Sequence, residues 1–244
     1  MNCSDFSFRP PYQARLYAVF EIIMVSGIFP GFLVSAVFAA VFGRNRMNLA
    51  EIDVGLLVTY LMIESALTFL ILWIMMKARG ETFTMLGLRR QQWKTYVLLG
   101  ILAAPLLMIL GGVAGAAFQL LLPEYALEKN PLMDMIHSWR QLLMFLVTVI
   151  TAGGIKEELQ RAFILRRFHH HLGGARVGLI AWSLAFGAGH YAQGLQGVCV
   201  ATVLGLVFGA LYLARGNLIL PMAAHVSYNT LALLIYWFVI GINR

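Results

Sequence analysis

Apolar residues fall in blocks of membrane length along this chain, and polar residues collect between the blocks. Seven stretches approach the roughly 20 apolar residues that a helix needs to cross a bilayer. They cover residues 16–42, 54–76, 96–122, 141–165, 177–191, 195–214 and 218–240. The fifth is the shortest, which sets the range at six to eight crossings. In lipid, a single segment satisfies its own backbone only as a helix, so the pattern predicts an all-α polytopic membrane bundle of about seven spans. No repeat, low-complexity tract or second domain interrupts it. Residues 1–244 read as one membrane-embedded domain, with 141–240 as its motif-bearing core.

Composition supports the same reading. With 60% hydrophobic residues, 12% charged and a mean hydropathy of +0.79, the chain has too little polar surface to coat a soluble globule of its size. The first apolar block is too long for the core of a signal peptide, and no small-residue cleavage pattern follows it, so a retained span is expected. Cys199 falls mid-span, and no disulfide with Cys3 is expected.

Orientation follows from the Lys and Arg residues between blocks. With seven spans, eleven collect on the side of the N-terminus, residues 77–94, 166–176 and Arg215, against five on the other. This predicts a cytoplasmic N-terminus. The net charge of +7 is thereby explained by topology and attraction to anionic lipid, and no nucleic-acid partner is expected. Residues 77–94 read as a basic cytoplasmic loop with Trp93 at headgroup level. Residues 123–140 suit either a short amphipathic helix on the outer face or plain loop.

The fourth block changes character at its end. After apolar and small residues, Lys156, Glu157, Glu158, Gln160 and Arg161 follow in quick succession, a patch that cannot face lipid. On a helix the two glutamates point ~100° apart, and Arg161 stands at i+4 from Glu157 and i+3 from Glu158. One carboxylate can be held by the guanidinium while the other stays free to take a proton from water. A structural Glu–Arg pair at a helix end is the alternative. In the fifth block Phe186 and His190 share a face, with Gly187 and Gly189 allowing close approach. In the seventh, His225 and Asn229 do the same, an imidazole and a carboxamide suited to a polarised carbonyl or its oxyanion. Each pair taken alone is an ordinary interhelical hydrogen bonder; the three together favour a working site.

The combination resembles the CAAX protease and bacteriocin-processing family, which includes the type II CAAX prenyl endopeptidases. That family is marked by EExxxR, FxxxH and HxxxN on successive helices. Phe186 with His190 and His225 with Asn229 match the last two. The first reads EELQR, with Arg161 one residue early. Aligning the glutamates makes Glu157 the water-activating position, whereas aligning the arginine would put Lys156 there; the first register is favoured. The resemblance covers 152–229 and implies a glutamate-type intramembrane endopeptidase. In that scheme Glu157, with His190, activates water; Glu158 is its partner; His225 and Asn229 steady the oxyanion; Arg161 and Phe186 support them. Glu157 lies about 15 Å from the Arg167 cluster on a helix, so an entrance from the cytoplasmic end is expected.

The resemblance allows either a zinc or a metal-free mechanism: Glu157, His190 and His225 would form a plausible zinc set, but Arg161 beside the glutamates and Asn229 suit carboxylate and oxyanion duties better, so no cofactor is expected to be required. The expected partners are the lipid bilayer and a protein or peptide substrate, lipid-modified or membrane-anchored ones included, cut near its C-terminus or membrane segment. A prokaryotic cell membrane suits the short loops. Two other classes stay open: a transporter or proton relay through the same Glu and His residues, and a catalytically silent peptide-binding immunity protein. Glu21 and Glu64 read as bundle-facing hydrogen bonders, with Glu64 near enough to mid-span to line a cavity. The run His169 to His171 reads as a solvated turn. The stripe Gly197, Ala201, Gly205 and Gly209 predicts tight packing of the sixth span.

Overall fold

The computed structural model describes residues 12–43, 52–127, 129–240; Cys3, Arg9, Arg44, Arg46, Glu128 and Arg244 lie outside them. Among these residues every regular element is helical: α1 (Tyr12–Val25), α2 (Ile28–Phe42), α3 (Val54–Ala78), α4 (Trp93–Leu121), α5 (Pro131–Asp134), α6 (Trp139–Ile150), α7 (Glu157–His171), α8 (Ala175–Gly189), α9 (Gly194–Arg215) and α10 (Ile219–Ile235). A π-helical segment, Thr151–Lys156, joins α6 to α7 without a break.

Length and composition make four helical segments able to cross a membrane: α3, α4, Tyr191–Arg215 and Ile219–Val239. The pair α1 and α2, bent by 42°, makes a fifth if taken as one span. The shortfall from the expected six to eight has two causes. Helix α8 has only 15 residues, and the continuous run α6–π–α7 carries the charged patch of EELQR. Both still pack inside the polytopic all-α bundle. The outward faces of α4, α8 and α10 carry exposed Leu102, Leu106, Ile180, Leu184 and Ile235, as lipid contact requires.

Small residues set the helix spacing, because association in lipid rests on close packing rather than on hydrophobic exclusion. A Cβ on Gly100 of α4 would meet Ala223 and Ala224 of α10 at 2.6 and 2.7 Å. On α9, a Cβ on Gly205 would meet Phe186, and one on Gly209 would meet Leu179. The glycine stripe of the sixth span thus receives the side chains of α8. Among the described residues of 123–138, α-helix is confined to one short turn, α5, opened by Asn130 capping the amides of Leu132 and Met133, and no amphipathic surface helix forms among them.

One end of the bundle is fastened by ions. Glu21 of α1 is buried and accepts from Arg79 Nε at 2.6 Å and Arg167 Nε at 2.7 Å. Arg167 also reaches Glu81 in a two-pronged contact, Nη1 to Oε1 at 2.9 Å and Nη2 to Oε2 at 2.8 Å, and Arg166 joins it. The network ties α1, the end of α3 and α7 together. Residue Glu21 is therefore a structural anchor, and His171 stands 3.5 Å from Arg79 at its edge.

Burial pushes the Glu81 carboxyl up, but the hydrogen bonds and charges of Arg167 and Arg166 outweigh it, so its pKa lies below the ordinary glutamate value. A folded-state pKa below the unfolded one gives stability above the unfolded value that is lost as pH falls through the folded one. The melting temperature of the detergent-solubilised protein is expected to drop as pH falls below the ordinary glutamate value of about 4.3. Glu81→Gln should lower stability at pH 7 and flatten that acid limb; an unaltered limb would remove Glu81 from the account.

Candidate active site

The α6–π–α7 run places the two glutamates differently. Helix rotation turns Glu158 into the bundle, where it has no exposure, while the Glu157 side chain keeps 20%. Arg161 Nη1 donates to Glu158 Oε1, one turn along the helix. His225 Nδ1 reaches the same oxygen at 2.8 Å. Arg161 thus sits on Glu158, the i+3 partner, and not on Glu157. The guanidinium is sandwiched as well, 4.8 Å from the Phe186 ring centre and 5.5 Å from that of Phe208, a cation–π setting suited to a charge withdrawn from water.

Since an ionised carboxylate only accepts, the Glu158 contact fixes a proton on His225 Nδ1. Nitrogen Nε2 then points the other way, 3.7 Å from Glu157 Oε2, too far for a hydrogen bond. Phe208 stacks on the His225 ring at 4.3 Å with an 18° tilt, and Phe186 meets it edge-on at 6.0 Å. The imidazole has little freedom to rotate. Residue Phe208 carries no motif; a bulky aromatic flanked by Gly209 in an apolar helix gives no signal of its own.

His190 ends α8. Its Nδ1 lies 2.8 Å from the Phe186 carbonyl and donates to it, leaving Nε2 as the basic nitrogen. Asn229 Nδ2 donates to the Gly153 carbonyl at 3.1 Å. This contact depends on the π segment. Gly153 and Gly154 let α10 lie directly on the helix backbone, since a Cβ on Gly154 would collide with Val226 and one on Gly153 would come within 2.9 Å of Asn229 Nδ2. Such π-bulges inside α-helices often mark functional sites, and periodicity alone did not announce this one.

A cavity of about 540 Å³ joins these groups. Glu157, His190, His225, Asn229 and Phe186 all line it, whereas Glu158 and Arg161 stand behind its wall. Lys156 also lines it, with Nζ 2.6 Å from Glu64 Oε2, and Thr68 donates to the other oxygen of Glu64 at 3.0 Å. Glu64 itself is not a lining residue; it is the buried counter-ion of Lys156. Gln160 Nε2 donates to the Val25 carbonyl at 2.5 Å, at the break between α1 and α2.

The exposed residues of the cavity lining, Gln119, Leu127, Lys129, Gly189 and Ala192, gather at one end and mark its mouth, with Asn130 and Gln193 beside them. Asn130 Nδ2 donates to Gln193 Oε1 across this mouth at 3.2 Å. No residue of the Glu21, Arg79 and Arg167 network lines the cavity, so the entrance lies at the end opposite the arginines, not beside them as the sequence suggests. Helix α7 leads away from the cavity toward the basic cluster; distance along it says nothing of which end is open.

Among the described residues, no three His, Cys, Asp or Glu side chains gather as a metal-ligating group, the set Glu157, His190 and His225 included. His225 spends one ring nitrogen on Glu158, and the run His169 to His171 forms no such group either.

Removing one partner of a buried pair leaves a charge without compensation, which costs about 3–5 kcal/mol. Arg161→Met is therefore expected to lower the melting temperature sharply, whereas Glu157→Gln, at the cavity wall and free of Arg161, should move it little. Equal losses for the two variants would contradict the separate placement of the glutamates.

No curated protein and no solved structure matches this chain. A family model does match, that of the type II CAAX prenyl endopeptidase Rce1-like proteins, over residues 138–231. Those residues run from the N-cap of α6 through α10 and carry Glu157, Glu158, Arg161, Phe186, His190, His225 and Asn229. Over that segment the chain is similar to the Rce1-like CAAX proteases, in agreement with the motif resemblance, and its apolar helices fit a multi-pass membrane protein.

Proposed function

We propose that the chain is an intramembrane endopeptidase in which Glu157 activates water. The observation that carries the proposal is the division between the glutamates: Glu158 is engaged by Arg161 and His225, while Glu157 faces the cavity beside His225 and Asn229. A general base needs a carboxylate that is not already committed to a counter-ion.

In the proposed reaction Glu157, assisted by the free Nε2 of His190, takes a proton from water as the oxygen attacks the scissile carbonyl carbon. The carbonyl π electrons move onto oxygen. Asn229 has two amide protons, one given to Gly153 and one left for that oxyanion. His225 stays neutral, with its Nδ1 proton held by Glu158, and its Nε2 faces Glu157 as an acceptor that orients the attacking water. The buried carboxylate of Glu158 fixes that tautomer, much as an orienting acid does in hydrolytic triads. Collapse breaks the C–N bond, the proton passes from Glu157 to the leaving amine, and a carboxylic acid is released. Every proton is supplied by water and by these side chains, and no metal enters the scheme. The apolar walls around Phe145, Leu204 and Phe208 would exclude bulk water from the intermediate.

The test is cleavage of a panel of membrane peptides and C-terminal motifs by purified protein, with and without chelator. Loss of the general base should reduce turnover by about 10²–10⁴-fold in Glu157→Gln. Loss of an oxyanion donor should cost about 10²–10³-fold in Asn229→Ala. Chelator should leave the wild type unchanged; if it abolishes cleavage, Glu157 and the histidines become metal ligands. Absence of cleavage, together with Glu157-dependent proton or solute flux in liposomes, would replace the peptidase with a relay.

A further inference from the structure

The cavity mouth and the positive charge lie at opposite ends of the bundle. Arg79, Arg89, Arg90, Arg166, Arg167, Arg176 and Arg215 lie in the connections or the adjoining helix ends at one end. Among the described residues the connections and adjoining helix ends at the mouth end hold only Lys129 and Arg140. Short loops rich in Lys and Arg stay in the cytoplasm, and the bias counts positive residues rather than net charge, so the pairing of Arg79, Arg166 and Arg167 with acids does not weaken it. The direction of the chain is consistent: α1 starts at the arginine end, where Glu21 meets Arg79 and Arg167, and α3 returns to it.

We infer that the cavity is served from the non-cytoplasmic face, and that its substrate is an extended polypeptide segment presented there. The orientation stands on the charge distribution; the nature of the substrate rests on the peptidase reading. The route has the matching chemistry. Gln119, Asn130, Gln193 and Gln196 ring the entrance, and carboxamides both donate and accept, as peptide groups do. Below them Val200, Leu204 and Phe145 line an apolar shaft that suits apolar side chains of a membrane-proximal segment. Glu157, His225 and Asn229 lie at its floor. Substrates would thus belong to exported or membrane-inserted polypeptides, not to chains whose cleavage site remains in the cytoplasm.

Two measurements test this separately. Single cysteines are placed at Lys129→Cys and Glu124→Cys near the mouth, and at Arg176→Cys and Arg215→Cys at the opposite end, in a Cys3→Ser, Cys199→Ser background. Intact cells are then treated with a membrane-impermeant maleimide before and after permeabilisation. Label at 129 and 124 in intact cells, and at 176 and 215 only afterwards, is the expected result. The reverse pattern, or label at both ends in intact cells, overturns the orientation. A membrane-impermeant peptide that the purified enzyme cuts is next added to right-side-out and inside-out vesicles, and cleavage is expected only in the first. Cleavage confined to inside-out vesicles overturns the inference. If the purified protein cuts no peptide, the peptidase reading and the substrate assignment fall together, while the labelling still decides which face the cavity meets.

Discussion

A carboxylate with no exposure, that of Glu158, holds a guanidinium and an imidazole at once, and the geometry of the cavity floor follows from that double grip. Charges in the interior of a membrane protein are tolerated when each has a partner. Here the partners come from two helices distant in sequence, so satisfying the charge also locks α10 against α7. The aromatic rings of Phe186 and Phe208 close over Arg161 and His225, replacing water with polarisable surface. The same arrangement turns His225 Nε2 toward Glu157. What fixes the position of the cavity-facing groups is therefore a buried network that does not itself touch the cavity.

Much of this was legible in the sequence, for a simple reason. Pairs such as Phe186 with His190 and His225 with Asn229 stand four residues apart, and a helix puts such pairs on one face whatever surrounds them. Glu157, Glu158 and Arg161 yielded to the same arithmetic up to a point. Rotation alone allowed Arg161 to meet either glutamate, and only the packing of α10 and α9 around Glu158 chooses between them. The bundle itself was legible from block length, but α8 is shorter than a full span and the bend between α1 and α2 falls inside one apolar block. The π segment was not legible, because its signal is the pair Gly153 and Gly154 meeting Val226 and Asn229, with a sequence separation of 76 between Gly153 and Asn229. Nor was the direction of the mouth, which is set by Leu127 packing on Gly194 and by Asn130 bonding to Gln193.

The small residues have a wider role than spacing. Where Gly153 and Gly154 admit α10, backbone meets side chain directly, and Asn229 is aimed by a carbonyl rather than by another side chain. Where Gly205 and Gly209 admit α8, the aromatic and aliphatic groups of that helix are pressed toward Arg161. Both contacts convert the absence of a side chain into the placement of a functional one. A polar floor can then exist in a bundle whose outer surface is almost wholly apolar.

Four of the charged or amide side chains on the α6–α7 run are satisfied from outside the segment that matches the family model: Lys156 by Glu64, Gln160 by the Val25 carbonyl, Arg166 by Glu81, and Arg167 by Glu21 and Glu81. Gly27, with its left-handed backbone at φ 90°, breaks the first apolar block at the level where the Val25 carbonyl is offered. The N-terminal helices thus behave as a socket into which α7 is plugged. Exchanging them for those of another bundle would leave an ammonium, an amide and a guanidinium stranded in hydrocarbon. A chimera built at the edge of the recognisable motifs would have to carry Glu21, the break at Gly27 and Glu64 along with them.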